Sequence, residues 1–328
     1  MGLNEPLVSI LMGTYNPKRE HFLASLRSVV QQTYRNLEII VINDGSEVNV
    51  RELVEEIGDD RIILIDNSIN QGLTKCLNQG LTYCKGEFIA RMDDDDICEP
   101  TRIQEQVEIF LSNAEVNILG CDVRVFGEAN RISHYILKNS RAGQQVDLFF
   151  NNVSVAHPSV MLRKSFLDQY ALRYNENYVK AQDYGLWVDC VQYSKIHCLG
   201  EVLLNYRIHE GQISSKSRVA QCEAQNSIRL EQLKRLQIIP TDEEFALHIR
   251  FCEDLIYDKY IELKHCGKWI RKLKTGNRKV KYFHYRTFKK ELGKRFIVGW
   301  RESLKSKFDI KKIFIGFLFL DIFFDGIL

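Results

Sequence analysis

Four aspartates in a row, Asp93-Asp94-Asp95-Asp96, close the apolar run Phe88-Ile89-Ala90. Packing alone does not call for four adjacent carboxylates, and their mutual repulsion is unfavourable unless a cation is present. Carboxylate oxygens are the preferred ligands of hard divalent ions such as Mg2+ or Mn2+, and an ion held by one or two of them keeps positions open for a diphosphate. The bland alternative is a solvated acidic loop or the first turn of a helix, where acids are favoured. Two further polar clusters, Thr14-Tyr15-Asn16 and Asp44-Gly45-Ser46, also follow apolar runs. The sequence contains no G-x-x-x-x-G-K-[ST] and no G-x-G-x-x-G, so neither a P-loop nor a dinucleotide fingerprint is indicated.

The elements that must position these residues read as follows. Leu7–Met12, Leu37–Ile42, Ile62–Ile65 and Phe88–Ala90 are short apolar runs without polar alternation, as expected of strands buried on both faces. Between them Phe22, Leu26, Val29 and Val30, then Leu53, Val54 and Ile57, then Leu73, Leu77 and Leu81 recur at helical spacing. Strand and helix in alternation predict a mostly parallel, Rossmann-like α/β sheet with helices on both faces, and ligands in such sheets bind beyond the carboxyl ends of the strands. The three polar clusters should therefore meet at one crevice. Farther along, Asn117–Phe126, Ser154–Leu162 and Val202–Arg207 read as strands, and Leu186, Trp187, Cys190 and Val191 mark a helix after Asp183. Beyond about Ser217 the chain reads as helical. This divides it into a nucleotide-binding catalytic domain, 1–215, and a basic, aromatic helical extension, 216–328.

The bulk composition narrows the class. At 45% hydrophobic and 27% charged residues, the 328-residue chain reads as folded rather than disordered. Its nine cysteines include no C-x-x-C pair, which argues against a zinc ribbon or a redox motif and suggests free thiols in a reducing compartment. The first residues show no basic and apolar leader, so a cytoplasmic location is expected. The net charge of +2 hides an asymmetry: Lys264 to Lys312 holds 18 Lys and Arg against three acids, while acids exceed bases elsewhere. Such a tail seeks anions. Aromatic residues interleave with the basic ones, and the apolar stretch Ile313–Leu320 follows. Eight residues cannot span a bilayer, so the pattern fits peripheral binding to anionic lipids, with a packing helix as the alternative. No recognised nucleic-acid motif accompanies the charge, and no nucleic-acid partner is expected.

The motifs resemble, in order, those of the family 2 glycosyltransferases, inverting enzymes of the GT-A fold. Val8–Asn16 resembles the first strand and turn, with Gly13 where proline is common. Leu26–Tyr34 resembles the helix and Q-T-Y stretch. Ile42-Asn43-Asp44-Gly45-Ser46 is similar to V-D-D-G-S, with Asn43 in place of the first aspartate. Asn70–Lys75 with Asn78 and Gly80 resembles N-x-G-L-T-x-x-L-N, and Gly86–Asp96 matches G-E-[FY]-I-x-x-x-D-x-D-D. Gln182-Asp183-Tyr184 resembles E-D-[YW], with Gln182 for Glu, and Tyr206–His209 with Gln212-Ile213-Ser214 resembles a segment of bacterial members. The resemblance covers about residues 7–215.

The resemblance implies a role for each matching residue. Asp44 would hydrogen-bond uracil and Tyr15 cover the base, with Thr14, Asn16, Lys75 and Asp94 lining the nucleotide-sugar. Asp93 would reach the ribose, and Asp95 would ligate Mn2+ or Mg2+, with His209 reaching the metal or diphosphate beside Arg207. Asp183 would be the catalytic base, although an aspartate before a helix also suits an N-cap. His157, in Ala156-His157-Pro158-Ser159, lines the acceptor site or serves the fold. The expected reaction is inverting transfer from a UDP-sugar to a saccharide or lipid-linked oligosaccharide acceptor, as in O-antigen or capsule assembly. It would run peripherally at the cytoplasmic face of the cell membrane. A nucleotidyltransferase acting on a sugar phosphate would use similar carboxylates but calls for a glycine-rich basic loop that Gly13–Asn16 lacks. A non-catalytic nucleotide-sugar-binding protein is opposed by the joint presence of Asp93, Asp95 and Asp183.

Overall fold

The computed structural model describes residues 5–152, 154–209, 218–252 and 260–306. Two compact units divide the chain: Met1–Lys138 with Ser154–Ala224, and Asn139–Val153 with Gln225–Leu328.

The first unit is built on strands β1 (Val8–Thr14), β2 (Leu37–Asn43), β3 (Ile62–Asp66) and β4 (Phe88–Asp93), joined by helices α1 (Arg19–Val30), α2 (Val50–Ile57) and α3 (Leu73–Tyr83). These four strands are parallel in the order β3-β2-β1-β4. Every residue of β2 is buried, as its unbroken apolar pattern demands. Its one acid, Glu38, accepts from the Ser9 hydroxyl at 2.5 Å and the Lys85 N–H at 2.6 Å, so no charge is left bare. Helices cover both faces. Val8, Ile10 and Met12 pack with Phe22, Leu26 and Val29 of α1, while Leu11 lies against Gly80 of α3 on the other side. Asn49 caps α2 through the Glu52 N–H, and Gly58, at φ 66°, ends it in the left-handed region.

The sheet then turns mixed. After the two-residue β5 (Ile97–Cys98) come α4 (Arg102–Ser112), β6 (Ile118–Gly127), β7 (Arg131–Ser133), β8 (Met161–Arg163), α6 (Lys164–Gln169), α7 (Gln182–Cys190) and β9 (His197–Ile208). The full order is β3-β2-β1-β4-β8-β6-β9-β5, with β7 on β6. β8 runs antiparallel to β4 and to β6, while β6 and β9 are parallel. The strand expected over Ser154–Leu162 is mostly absent. His157–Ser159 forms a single 3-10 turn, and pairing begins only at Met161. Pro158 is the reason, since it has no N–H for a ladder and its fixed φ suits a turn.

In the second unit, α5 (Arg141–Phe150) joins α8 (Arg218–Arg235), α9 (Asp242–Cys252), α10 (Tyr260–Val280) and α11 (Tyr285–Ser306). Val146, Phe149, Phe150, Leu236, Phe251, Trp269, Phe283, Phe288 and Phe296 form its core. Ser140 caps α5 through the Gly143 N–H at 3.1 Å. The apolar stretch 313–320 and residues 212–214 lie outside the described residues, and no described helix is long and apolar enough to cross a membrane.

Candidate active site

Parallel pairing of β1, β2 and β4 brings their carboxyl ends to one edge, and the three polar clusters meet there. The Thr14 hydroxyl at the end of β1 donates to Asp94 Oδ2 at 2.5 Å. Asn16, at φ 46°, donates its N–H to the Ser46 hydroxyl oxygen at 2.9 Å, and its side-chain oxygen accepts the Glu47 N–H at 2.7 Å. The left-handed turn at Asn16, a residue that tolerates it, thus latches the β1 loop to the β2 loop. Tyr15 beside it stays half-exposed.

Asp44 is buried, and its two oxygens accept the Gln71 and Gly72 N–H groups at 2.9 and 2.8 Å. It therefore ties the loop before α3 to the end of β2. Gly45, at φ 71°, is required by close approach as well as by conformation, because a Cβ there would sit 2.5 Å from the backbone of Ile69. Gly72, at φ 90°, opens α3, and Lys75 stands exposed in that helix's first turn.

The four aspartates separate into distinct environments. Asp93 pairs closely with buried Arg91, two residues back on β4, and its carbonyl accepts the Ser25 hydroxyl at 2.9 Å. Asp94 is bound to Thr14, and burial, with the charges of Asp95 and Asp93, pushes its carboxyl up to about 7. Asp95 Oδ2 meets His209 Nε2 at 3.0 Å, and its carbonyl accepts Arg207 Nε at 2.7 Å. Asp96 is wholly buried: Oδ1 accepts the Arg207 N–H at 2.8 Å, while Oδ2 has no hydrogen-bond partner. Burial and the neighbouring Asp93 and Asp95 charges push Asp96 well above the usual carboxylate range. Two of the four also serve the fold, since Asp94 and Asp96 hold loops together through part-buried bonds.

Asp93, Asp95 and Asp96 each place a ligand oxygen within 4.8 Å of the others. Three crowded carboxylates, one with an orphaned buried oxygen, and an adjacent imidazole form a donor set suited to a hard divalent ion. These residues fit Mn2+ or Mg2+.

Asp183 lies within the first turn of α7, which starts at Gln182 after an Ala181 cap, so it is not the N-cap that its place before a helix suggested. Its half-buried carboxyl still faces favourable backbone dipoles. The buried Tyr174 phenol is raised chiefly by burial, and the charges of Asp183 and Asp93 add to the shift. Tyr174 bonds His157 Nε2 at 2.8 Å, and the Asn78 amide clamps the Tyr174 backbone in both directions, at 2.8 and 3.0 Å. His157 is buried beside Trp187, and burial followed by the Arg91 charge holds its imidazole well below its ordinary range.

Two residues at this edge escaped sequence reasoning. His21 in α1 stacks obliquely on His209, with ring centroids 5.3 Å apart, and nothing in its spacing marks it. Arg91 did carry a signal, a lone cation inside an apolar strand.

A doubly wound parallel sheet that gathers loops and metal-ready carboxylates at the ends of β1, β2 and β4, then closes with antiparallel strands, is the GT-A fold of glycosyltransferases. The sequence profile described as "Glycosyl transferase family 2" matches residues 9–171. An uncharacterized glycosyltransferase of Haemophilus influenzae is 34% identical over 245 residues, covering 70% of this chain and 74% of that one. The Escherichia coli UDP-Glc:alpha-D-GlcNAc-diphosphoundecaprenol beta-1,3-glucosyltransferase WfgD is 30% identical over 219 residues, covering 65% and 81%. The fold is shared with Staphylococcus aureus TarS 1-349 in complex with UDP-GlcNAc, at a TM-score of 0.59 and 15% identity over 91% of this chain and 90% of that one. It is shared too with the Pyrobaculum calidifontis mannosyltransferase PcManGT in complex with GDP-Man and Mn2+, at 0.54 and 16% over 92% and 88%. The chain belongs to glycosyl transferase family 2 and is a glycosyltransferase.

Proposed function

We propose that this glycosyltransferase moves a sugar from a UDP-sugar, with inversion at the anomeric carbon, to a hydroxyl of a lipid-linked saccharide in the making of a cell-surface polysaccharide. The observation that carries the reading is the cluster of Asp93, Asp95 and Asp96 at the end of β4, with His209 on Asp95. The E. coli relative, named for a UDP-Glc donor and a diphosphoundecaprenol-linked acceptor, supports the choice of donor and acceptor.

Tyr15 stacks on uracil, for which base–aromatic contact is worth about 1–3 kcal/mol. Asp44, with Thr14 and Asn16, keeps the loops around the base in place and offers its remaining lone pairs to the uracil edge. Lys75 approaches the diphosphate, Asp93 accepts from the ribose, and Asp94 braces Thr14 beneath them. Asp95 and His209, with Asp96 beside them, would hold Mn2+ or Mg2+, which when bound would offset the charge that builds on the departing UDP. Asp183 accepts the acceptor hydroxyl's proton as that oxygen bonds to the anomeric carbon and the bond from this carbon to the diphosphate oxygen breaks. UDP leaves, and the product carries the inverted linkage.

In this reading residues 1–215 perform the chemistry and 216–328 bring it to the inner face of the membrane. The described exposed charges on α10 and α11 support the second part. Lys264, Lys268, Arg271, Arg278 and Lys279, then Arg286, Lys290 and Lys294, are all basic. Such faces attract anionic lipid headgroups at about 1 kcal/mol per residue.

The test is a panel of UDP-sugars with Mn2+ and a diphospholipid-linked saccharide. Release of UDP with a sugar-extended lipid is expected. Release of pyrophosphate from UTP and a sugar phosphate instead would identify a nucleotidyltransferase. Donor binding without any turnover would mark a non-catalytic protein.

A further inference from the structure

We propose, resting on the donor-site reading above, that Arg91 is a positioning residue that reserves Asp93 for the donor and leaves the divalent cation to Asp95 and Asp96. Arg91 sits on β4 between Ala90 and Met92, both buried, and is itself 3% exposed. Its Nη2 pairs with Asp93 Oδ1, while Nε and Nη1 meet no hydrogen-bond acceptor among the described residues. A buried guanidinium with two of its three nitrogens unpaired is costly, and an apolar side chain of similar volume would fill the same space without that penalty. Stability therefore does not account for an arginine at this position. Its one polar side-chain partner does.

The pair has little freedom. Residues 91 and 93 share a face of the strand, so the salt bridge follows from the pleat. The Arg91 N–H donates to the Val160 carbonyl at 2.9 Å, Arg102 Nη2 donates to the Arg91 carbonyl at 2.9 Å, and the Ser25 hydroxyl holds the Asp93 carbonyl. Arginine stays charged at any relevant pH, so Asp93 always has a cationic partner that fixes its direction. The other carboxylates are held less firmly. Asp95 pairs with an imidazole that can itself ligate a metal, and Asp96 Oδ2 has no partner among the described residues. A cation approaching the cluster meets the positive charge of Arg91 behind Asp93 and finds its oxygens at 95 and 96. Asp93 then remains a hydrogen-bond acceptor, set for a hydroxyl of the nucleotide.

This assignment gives the two ligands opposite responses. In Arg91→Met, Asp93 is released to the cation and its counter-charge is gone. The affinity for Mn2+ alone, read by electron paramagnetic resonance of free Mn2+, should rise about tenfold, the scale on which a neighbouring arginine shifts a carboxylate equilibrium. The affinity for UDP at saturating Mn2+, read by calorimetry, should fall by a similar factor. Arg91→Lys keeps charge without the planar fork, so Mn2+ should bind as in wild type and UDP at an intermediate strength. A merely structural role would weaken both ligands together in Arg91→Met, and that result, or no change in either, overturns the proposal. If Arg91→Met does not fold, Arg91→Met with Asp93→Asn removes both charges of the pair at once. It should bind Mn2+ as tightly as wild type, and a loss of Mn2+ binding there refutes the division of labour. Wild-type protein that binds neither Mn2+ nor UDP sinks the donor-site reading itself, a failure distinct from that of Arg91.

Discussion

The two units fill their interiors differently. At the strand ends of the first, ionisable groups go inside: Arg91, Asp96, Asp44 and Arg102 are all at most 3% exposed. In the second, aromatic rings fill the centre, with Phe149 edge-on to Phe150, Phe283 and Phe288, and the described exposed charges of α10 and α11 are basic. Burying charge is unfavourable and rings are the better filling, so the contrast separates a region shaped by chemistry from one shaped by packing and by its outer surface. The first should respond to mutation in ligand binding and rate. The second should respond in stability, or in attachment to anionic surfaces.

The largest effect should come from the chemical side. Asp183→Asn keeps shape but cannot take a proton, so transfer should fall by roughly 10²–10⁴ while UDP binding holds. Steady-state rates beside calorimetry check this, and near-normal turnover would move the base elsewhere. On the packing side, Phe149→Ala should lose about 3–5 kcal/mol of stability, read as a shifted denaturant midpoint, because it empties the centre of the aromatic cluster.

Buried His248 sharpens the contrast through pH. It accepts from Trp269 Nε1 at 3.3 Å, and burial, then the Arg229 and Arg295 charges, holds its imidazole down at about 3 against 6.5 for a free one. With the folded value depressed, the unfolded chain takes up the proton first. Its stabilising contribution is therefore complete above about 6.5 and is lost progressively as pH falls toward 3. His248→Gln, which keeps an acceptor for Trp269 and does not titrate, should flatten that acid limb in urea titrations at stepped pH. An unchanged slope would place the acid sensitivity elsewhere. The smallest effect belongs to the outer face, where Lys268→Ala should leave stability within about 0.5 kcal/mol. It should weaken sedimentation with anionic liposomes by about 1 kcal/mol at low salt. Equal binding to neutral and anionic liposomes would remove the electrostatic account.

The first unit was the more legible in the sequence, and the physical reason is local. Unbroken apolar runs, a polar cluster after each, and helical spacing between them define β1 to β4 residue by residue, and parallel order follows from alternation. The partners were harder to read. That Asp94 binds Thr14 eighty positions away, or that Asn78 holds Tyr174, depends on tertiary proximity that no periodicity encodes. His21 reaches the site only because α1 and the end of β9 meet there. In the second unit the sequence marked helices and charge. It gave no sign that α5, inserted between strands of the sheet, packs Val146, Phe149 and Phe150 with helices beginning some seventy residues later. Its hydrophobic pattern is that of any amphipathic helix, and the pattern does not name the partner.

The central claim is that the carboxylates at the end of β4 bind UDP through a divalent cation, and Asp95→Ala tests it most directly. UDP affinity should be measured by calorimetry with and without Mn2+, on wild type and on variant protein shown to be folded. Wild type should bind UDP far more tightly with Mn2+, and the variant should show the same weak affinity in both conditions. A folded variant that keeps the full Mn2+-dependent gain would contradict the claim.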